Sequence, residues 1–178
     1  MAKRFTDSTI WEDDWFYELT PEHKLFWFYL KDNCNHAGIW KPKRMAFKSV
    51  TDTDIDLNKV LESFNNGKKR IRVLENGYWL LEDFFYFQYV TKGKVLNRCN
   101  RVHESVLVIY VKMGITLSSI KGLDYIKDKM GIFKVNEYEK SIDIFDLNIG
   151  DNIGLNIGGN EGLKDKDKDM DKEEELLY

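Results

Sequence analysis

Two cysteine and histidine pairs are the first residues whose spacing suggests chemistry. Cys34-x-His36 and Cys99-x-x-x-His103 each set a thiol near an imidazole, the second pair one helical turn apart. Neither has the paired-cysteine spacing of a structural zinc site, and both pairs would have to meet in space. A small buried thiol beside a partly buried imidazole is the simpler reading, so neither metal nor cofactor is expected. Glu12, Asp13, Asp14 and the pair Glu82, Asp83 are ligand types of a Mg2+ nuclease. The first group also suits the start of a helix and the second the end of a strand, and no lysine stands where such a centre needs one. Gly-rich phosphate loops and ordered nucleophile triads are absent from the sequence, so an enzyme is not expected.

Basic residues offer the remaining chemistry, neutralisation of phosphate. Four clusters carry it: Lys41, Lys43, Arg44 and Lys48; Lys59; Lys68, Lys69, Arg70 and Arg72; and Lys92, Lys94, Arg98 and Arg101. The whole chain, 178 residues with a formal charge of -3, reads as unsuited to nucleic acid. Its distribution says otherwise. Residues 1–122 hold 19 basic against 15 acidic residues, residues 41–101 hold 13 against 7, and residues 123–178 reverse the sign with 8 against 15. Acids at 52, 54, 56 and 62 stand among the cations, and an ordinary solvated surface is the bland alternative.

These clusters need elements to position them. A helix is expected over Ser8–Leu19, and a second from Thr20 as N-cap with Pro21 at the first helical position. Leu25 to Leu30 is apolar on every side and reads as a central scaffold. Gly38-Ile39-Trp40 reads as a short strand. A short helix follows over Lys43 to Val50, with Ala46, Phe47 and Val50 inward. Leu57, Val60, Leu61 and Phe64 form an i, i+3, i+4, i+7 stripe, capped by Thr53 or Asp54 and closed by Gly67. That helix turns Asn58, Lys59, Glu62, Ser63 and Asn66 outward. Asn76-Gly77 predicts a two-residue type I′ hairpin that pairs Val73 with Leu80 and Arg70 with Asp83. Its second strand runs on through Val90, and a helix spans about Asn97 to Met113 with Val102, Val106, Ile109 and Met113 inward.

This order predicts an α+β winged helix-turn-helix domain over residues 1–125, helix-rich with a two- to three-stranded antiparallel wing sheet. A Gly/Asn-rich linker over 126–163 and a charged, disordered low-complexity tail over 164–178 are expected to follow. No stretch has the ~18 to 20 apolar residues of a membrane helix, and the first residues lack a signal peptide's apolar core. A cytoplasmic protein is expected.

Several ordered strings add a resemblance. Trp11-Glu12-Asp13-Asp14-Trp15-Phe16, Lys24 to Tyr29 with Asn33 to Trp40, Arg70 to Val73 with Trp79 to Phe84, Asn100-Arg101-Val102-His103 and Ser119 to Leu123 resemble the N-terminal domain of phage replisome-organiser proteins. These are replication initiators similar in role to DnaD-like and lambda O-like proteins, and the likeness covers about residues 1–125. It implies a winged helix that binds the replication origin and a chain that helps recruit the host helicase or its loader. Duplex DNA is the expected partner, with single-stranded DNA and a homo-oligomer as further possibilities. Lys43, Arg44, Lys48, Lys68, Lys69, Arg70, Arg72, Lys92, Lys94, Arg98 and Arg101 are the expected phosphate contacts, and Asn58, Lys59 and Ser63 the expected base readers. The alternatives are a winged-helix transcriptional regulator and a module that binds a host replication protein without DNA.

Overall fold

The computed structural model describes residues 8–90, 96–127 and 131–141. A 3-10 segment Ser8–Glu12 and a single turn, α1 (Asp14–Tyr17), lead into α2 (Pro21–Asn33). Then come β1 (Ile39–Trp40), α3 (Arg44–Thr51), α4 (Leu57–Phe64), β2 (Ile71–Val73) and β3 (Trp79–Leu81). The second part contains β4 (Leu96–Asn97), α5 (Arg101–Lys112), β5 (Tyr125–Lys127), β6 (Ile132–Lys134) and α6 (Val135–Ser141). Among the described residues no helix is long and apolar enough to cross a membrane.

The fold is mixed α+β with two small sheets. In the first, β3 lies between β1 and β2, antiparallel to both; in the second, β5 lies between a parallel β4 and an antiparallel β6. The first sheet is buried on both sides, because strand side chains alternate. Trp40, Ile71, Trp79 and Leu81 join one core with Phe16, Phe26, Leu30, Phe47, Val60 and Phe64. Ile39 and Leu80 join the other, with Val106, Leu107, Ile109 and Tyr110 of α5 and Ile126 of β5. Three layers result, with α1 to α4 on one side of the sheet and α5 with the second sheet on the other. Phe26 centres the first core, 4.9 Å from Phe47 and 5.6 Å from Trp40 between ring centroids, both edge-to-face.

Where local chemistry decides the element, the sequence expectation holds. Thr20 accepts the His23 N–H at the start of α2, with Pro21 at its first turn. The α4 stripe buries Val60 and Phe64, although its cap is Asp56, which accepts from the backbone of Asn58 and Lys59, and neither Thr53 nor Asp54.

Other expectations are corrected. The first helix breaks at Asp13 into a 3-10 segment and one turn. Val50 is 75% exposed, because α3 is only two turns long and Phe47 alone fills its buried side. The hairpin pairs Val73 with Trp79 and Arg72 with Leu80, one residue from the expected register. A type I′ turn needs positive φ at both Asn76 and Gly77. Only Gly77 has it, at +78°, so Glu75-Asn76-Gly77 form a three-residue loop with the glycine in the left-handed position. β3 stops at Leu81 and Tyr86–Val90 is a π turn, not strand. A close approach explains the end of β3's neighbour: a Cβ on Gly38, at φ +75°, would lie 2.7 Å from Phe84. α5 starts at Arg101, capped by the Asn100 side chain, and leaves Val102 51% exposed. Residues expected as linker from 126 carry the end of β5, β6 and α6, where Ile126, Val135 and Tyr138 are core. The expected tail, Lys92 and Lys94 lie outside the described residues.

Candidate nucleic-acid interface

α3 and α4 meet through the turn Asp52–Asp56, in which Asp52 takes a left-handed conformation at φ 55°. Arg44 on α3 holds Asp54 in this turn by two hydrogen bonds, Nε to Oδ1 at 2.7 Å and Nη2 to Oδ2 at 2.6 Å. Lys48 stands 3.6 Å from the same carboxylate. The Arg44 bonds hold the Asp54 carboxyl down at about 2, well below the usual carboxylate range, against a smaller opposing effect of burial. Arg44, Asp54, Asp56 and Asn58 line one open cleft between the two helices. The expected clusters around Arg44, Lys48 and Asn58 are thus brought together, but an acid sits at their centre.

α4 presents Asn58, Lys59 and Glu62 to solvent. Lys59 makes no ion pair among the described residues. Ser63 is turned back onto its own helix, its hydroxyl donating to the Lys59 carbonyl at 2.9 Å. It is therefore not offered as a reader in this conformation.

The hairpin cations are largely occupied by the fold. Arg70 aims its guanidinium at the end of α4, donating to the carbonyls of Phe64, Asn66 and Lys68, with its centre 3.9 Å from the Trp15 ring centroid. Burial draws its pKa down, opposed by the charges of Asp13 and Asp83. No cross-hairpin bond to Asp83 forms. Asp83 instead takes Lys68 and Lys121, the latter at 2.9 Å. Burial alone would raise the Asp83 carboxyl, and the two lysines outweigh it. Arg72 forks onto Glu82 at 2.7 and 2.9 Å and reaches the Ser119 hydroxyl at 2.9 Å. That pair is largely enclosed and ties β2 to the layer behind it. Lys69 stays exposed without an ion pair among the described residues.

Arg98 directly follows β4, and Arg101 opens α5. The Arg98 backbone N–H donates to Lys127 O, and its side chain stands 3.6 Å from Glu104 and over the Tyr138 ring. Arg101 is exposed at the first turn of α5. Neither cysteine pair is drawn into a shared site. The Cys34 thiol donates to the Lys31 carbonyl, His36 Nε2 lies 2.9 Å from Ser105 Oγ, and His103 Nδ1 accepts the Asn97 N–H.

The sequence reading missed two groups of charged residues. Asp54 is the partner of Arg44 and Lys48, and Lys121 shares Asp83 with Lys68, pairings reached only through folding. Lys127 and Lys134 lie in a segment expected as linker, because the three-residue runs Tyr125-Ile126-Lys127 and Ile132-Phe133-Lys134 are too short to show a strand's alternation. Comparison with family models, curated proteins and solved structures found no match to this chain.

Proposed function

We propose that residues 8–90 are a winged-helix unit that binds duplex DNA without catalysis, in a phage-type replication protein acting at an origin. The observation that carries this reading is the exposed face of α4, which follows α3 through a tight turn beside an antiparallel hairpin. Eight residues at 1.5 Å rise make a helix about 12 Å long, and the major groove is about 12 Å wide. Asn58 is the base-reading residue, and Lys59 beside it neutralises phosphate. Lys43, Lys59 and Lys69 touch phosphate, while Arg44 and Lys48 can exchange Asp54 for phosphate because all three are about half-exposed. Arg70 and Arg72 serve the fold. The replication role and recruitment of a host helicase or its loader rest on the sequence resemblance alone.

A protein-binding role has one observation in its favour, the exposed apolar side chains of Met45 at 69% and Val50 at 75% on α3. Anisotropy titration of labelled duplex at several salt concentrations separates the readings. Lys59→Glu should weaken duplex binding and shallow the log-log salt slope by at least about 0.9, the value of one phosphate contact. Unchanged affinity and slope would reject α4 as the DNA-reading helix.

A further inference from the structure

The outer face of the second sheet carries charge and ring together. Along β5 and β6, Ile126 and Phe133 turn inward to the core that holds Val135 and Tyr138. Tyr125, Lys127, Ile132 and Lys134 alternate with them and are exposed, Tyr125 at 47% and Ile132 at 61%. The register sets Tyr125 opposite Lys134 and Lys127 opposite Ile132. One diagonal of this square therefore holds a ring and an apolar side chain, and the other holds two ammonium groups. Neither lysine has an ion pair among the described residues, and the strands β4, β5 and β6 contain no carboxylate. Asn97, paired with Lys127 across the β4 edge, extends the face with a polar neutral group.

The ligand this face fits is a chain of negative charges that also exposes flat apolar faces. Residues on the diagonal of an antiparallel pair stand about 7 to 8 Å apart, so Lys127 and Lys134 can hold successive phosphates while a base lies on Tyr125 and its neighbour against Ile132. Duplex DNA keeps its base faces stacked inside and would leave Tyr125 unused. An acidic peptide would answer the lysines but bring nothing to the ring. We propose that the β4-β5-β6 face binds single-stranded nucleic acid, independently of α4.

The test uses the full chain, a labelled short oligothymidylate and a labelled duplex, titrated at several salt concentrations. Tyr125→Ala should weaken oligothymidylate binding by about fivefold or more, the loss of one stacked base, and Tyr125→Phe should retain it. Lys127→Ala with Lys134→Ala should shallow the single-strand salt slope by about 1.4, at about 0.7 per phosphate. Duplex affinity should be untouched by these changes, just as Lys59→Glu should spare the single strand. Failure of the wild type to bind oligothymidylate, wild-type affinity in Tyr125→Ala, or equal losses for both nucleic acids would overturn the proposal.

Discussion

Replacing Arg70 distinguishes a cation that holds the fold from one that holds phosphate. The Phe64 carbonyl is among the last of α4 and has no partner within the helix, so the guanidinium closes that end from outside. One nitrogen shared among three carbonyls contributes like a single charge-assisted bond, about 1.5 to 2 kcal/mol at this half-buried position. Its stacking on Trp15 at 3.9 Å adds about 0.5 to 1 kcal/mol. Arg70→Met keeps the stem and loses both, so unfolding free energy should fall by about 2 to 3 kcal/mol. For a chain of this size that lowers Tm by about 5 to 10 °C. Arg70→Lys keeps the charge but neither the fork nor the flat stack, and should recover less than half of the loss. Urea unfolding followed by tryptophan fluorescence reads the first effect, and the duplex salt slope reads the alternative. If Arg70→Met stays within about 0.5 kcal/mol of wild type, as ordinary surface changes do, the capping role is wrong. A simultaneous loss of about 0.9 in slope would then identify a phosphate contact.

Two further outcomes follow from the titratable groups. Asp54 is held at about 2, below its unfolded value, so its link to Arg44 is present above the ordinary carboxylate range and disappears as pH falls through about 2. Carboxyl NMR titration should place its midpoint there, and Arg44→Ala should return it toward about 3.9; an ordinary midpoint in the wild type would contradict the bidentate pair. Tyr110 is fully buried and donates its hydroxyl to the Ala37 carbonyl, also fully buried. Tyr110→Phe leaves that carbonyl unpaired and should cost about 1 to 3 kcal/mol in denaturant unfolding. Burial pushes the phenol up, so the folded chain keeps a proton that the unfolded chain releases near pH 10. Stability therefore falls as pH rises past about 10, and the phenylalanine variant should show less of that fall; an unchanged alkaline limb would argue against it.

What could be read from the sequence was what neighbours within one turn decide. Thr20 and Pro21 start α2 by capping chemistry, and Val60 and Phe64 share a face because four residues complete about one turn. Hairpin position was legible from Asn76-Gly77, but its register depended on whether Asn76 adopts positive φ, and it does not. The parallel pairing of Leu96 with Ile126 joins strands of two and three residues, too short for an alternating pattern to stand out. Site residues were legible as types and not as roles. Arg44 and Asp54 are ten residues apart, and Arg72 and Ser119 are 47 apart, separations that no helical or strand period connects.

Those long-range pairs change what the positive stretch can do. Arg44 and Lys48 share Asp54, Lys68 meets Asp83, Arg72 meets Glu82 and Arg98 meets Glu104. Exposed pairs are weak because water screens them, so phosphate can compete for Arg44, Lys48 and Lys68. The Arg72 fork is different, since both its side chains are more than three-quarters enclosed and a third partner, Ser119, holds it. Opening it for DNA would leave the largely enclosed Glu82 without its cation. Under the proposed duplex binding, the hairpin would meet phosphate through Lys68 and Lys69 at its base, while Arg72 fastens it to the layer behind. A hairpin fastened in this way presents the same surface bound or free, which reduces the ordering cost of association. Charge surplus in the sequence thus divides into a part that builds a rigid support and a smaller part, centred on Lys59 and Lys69, left for an anionic partner.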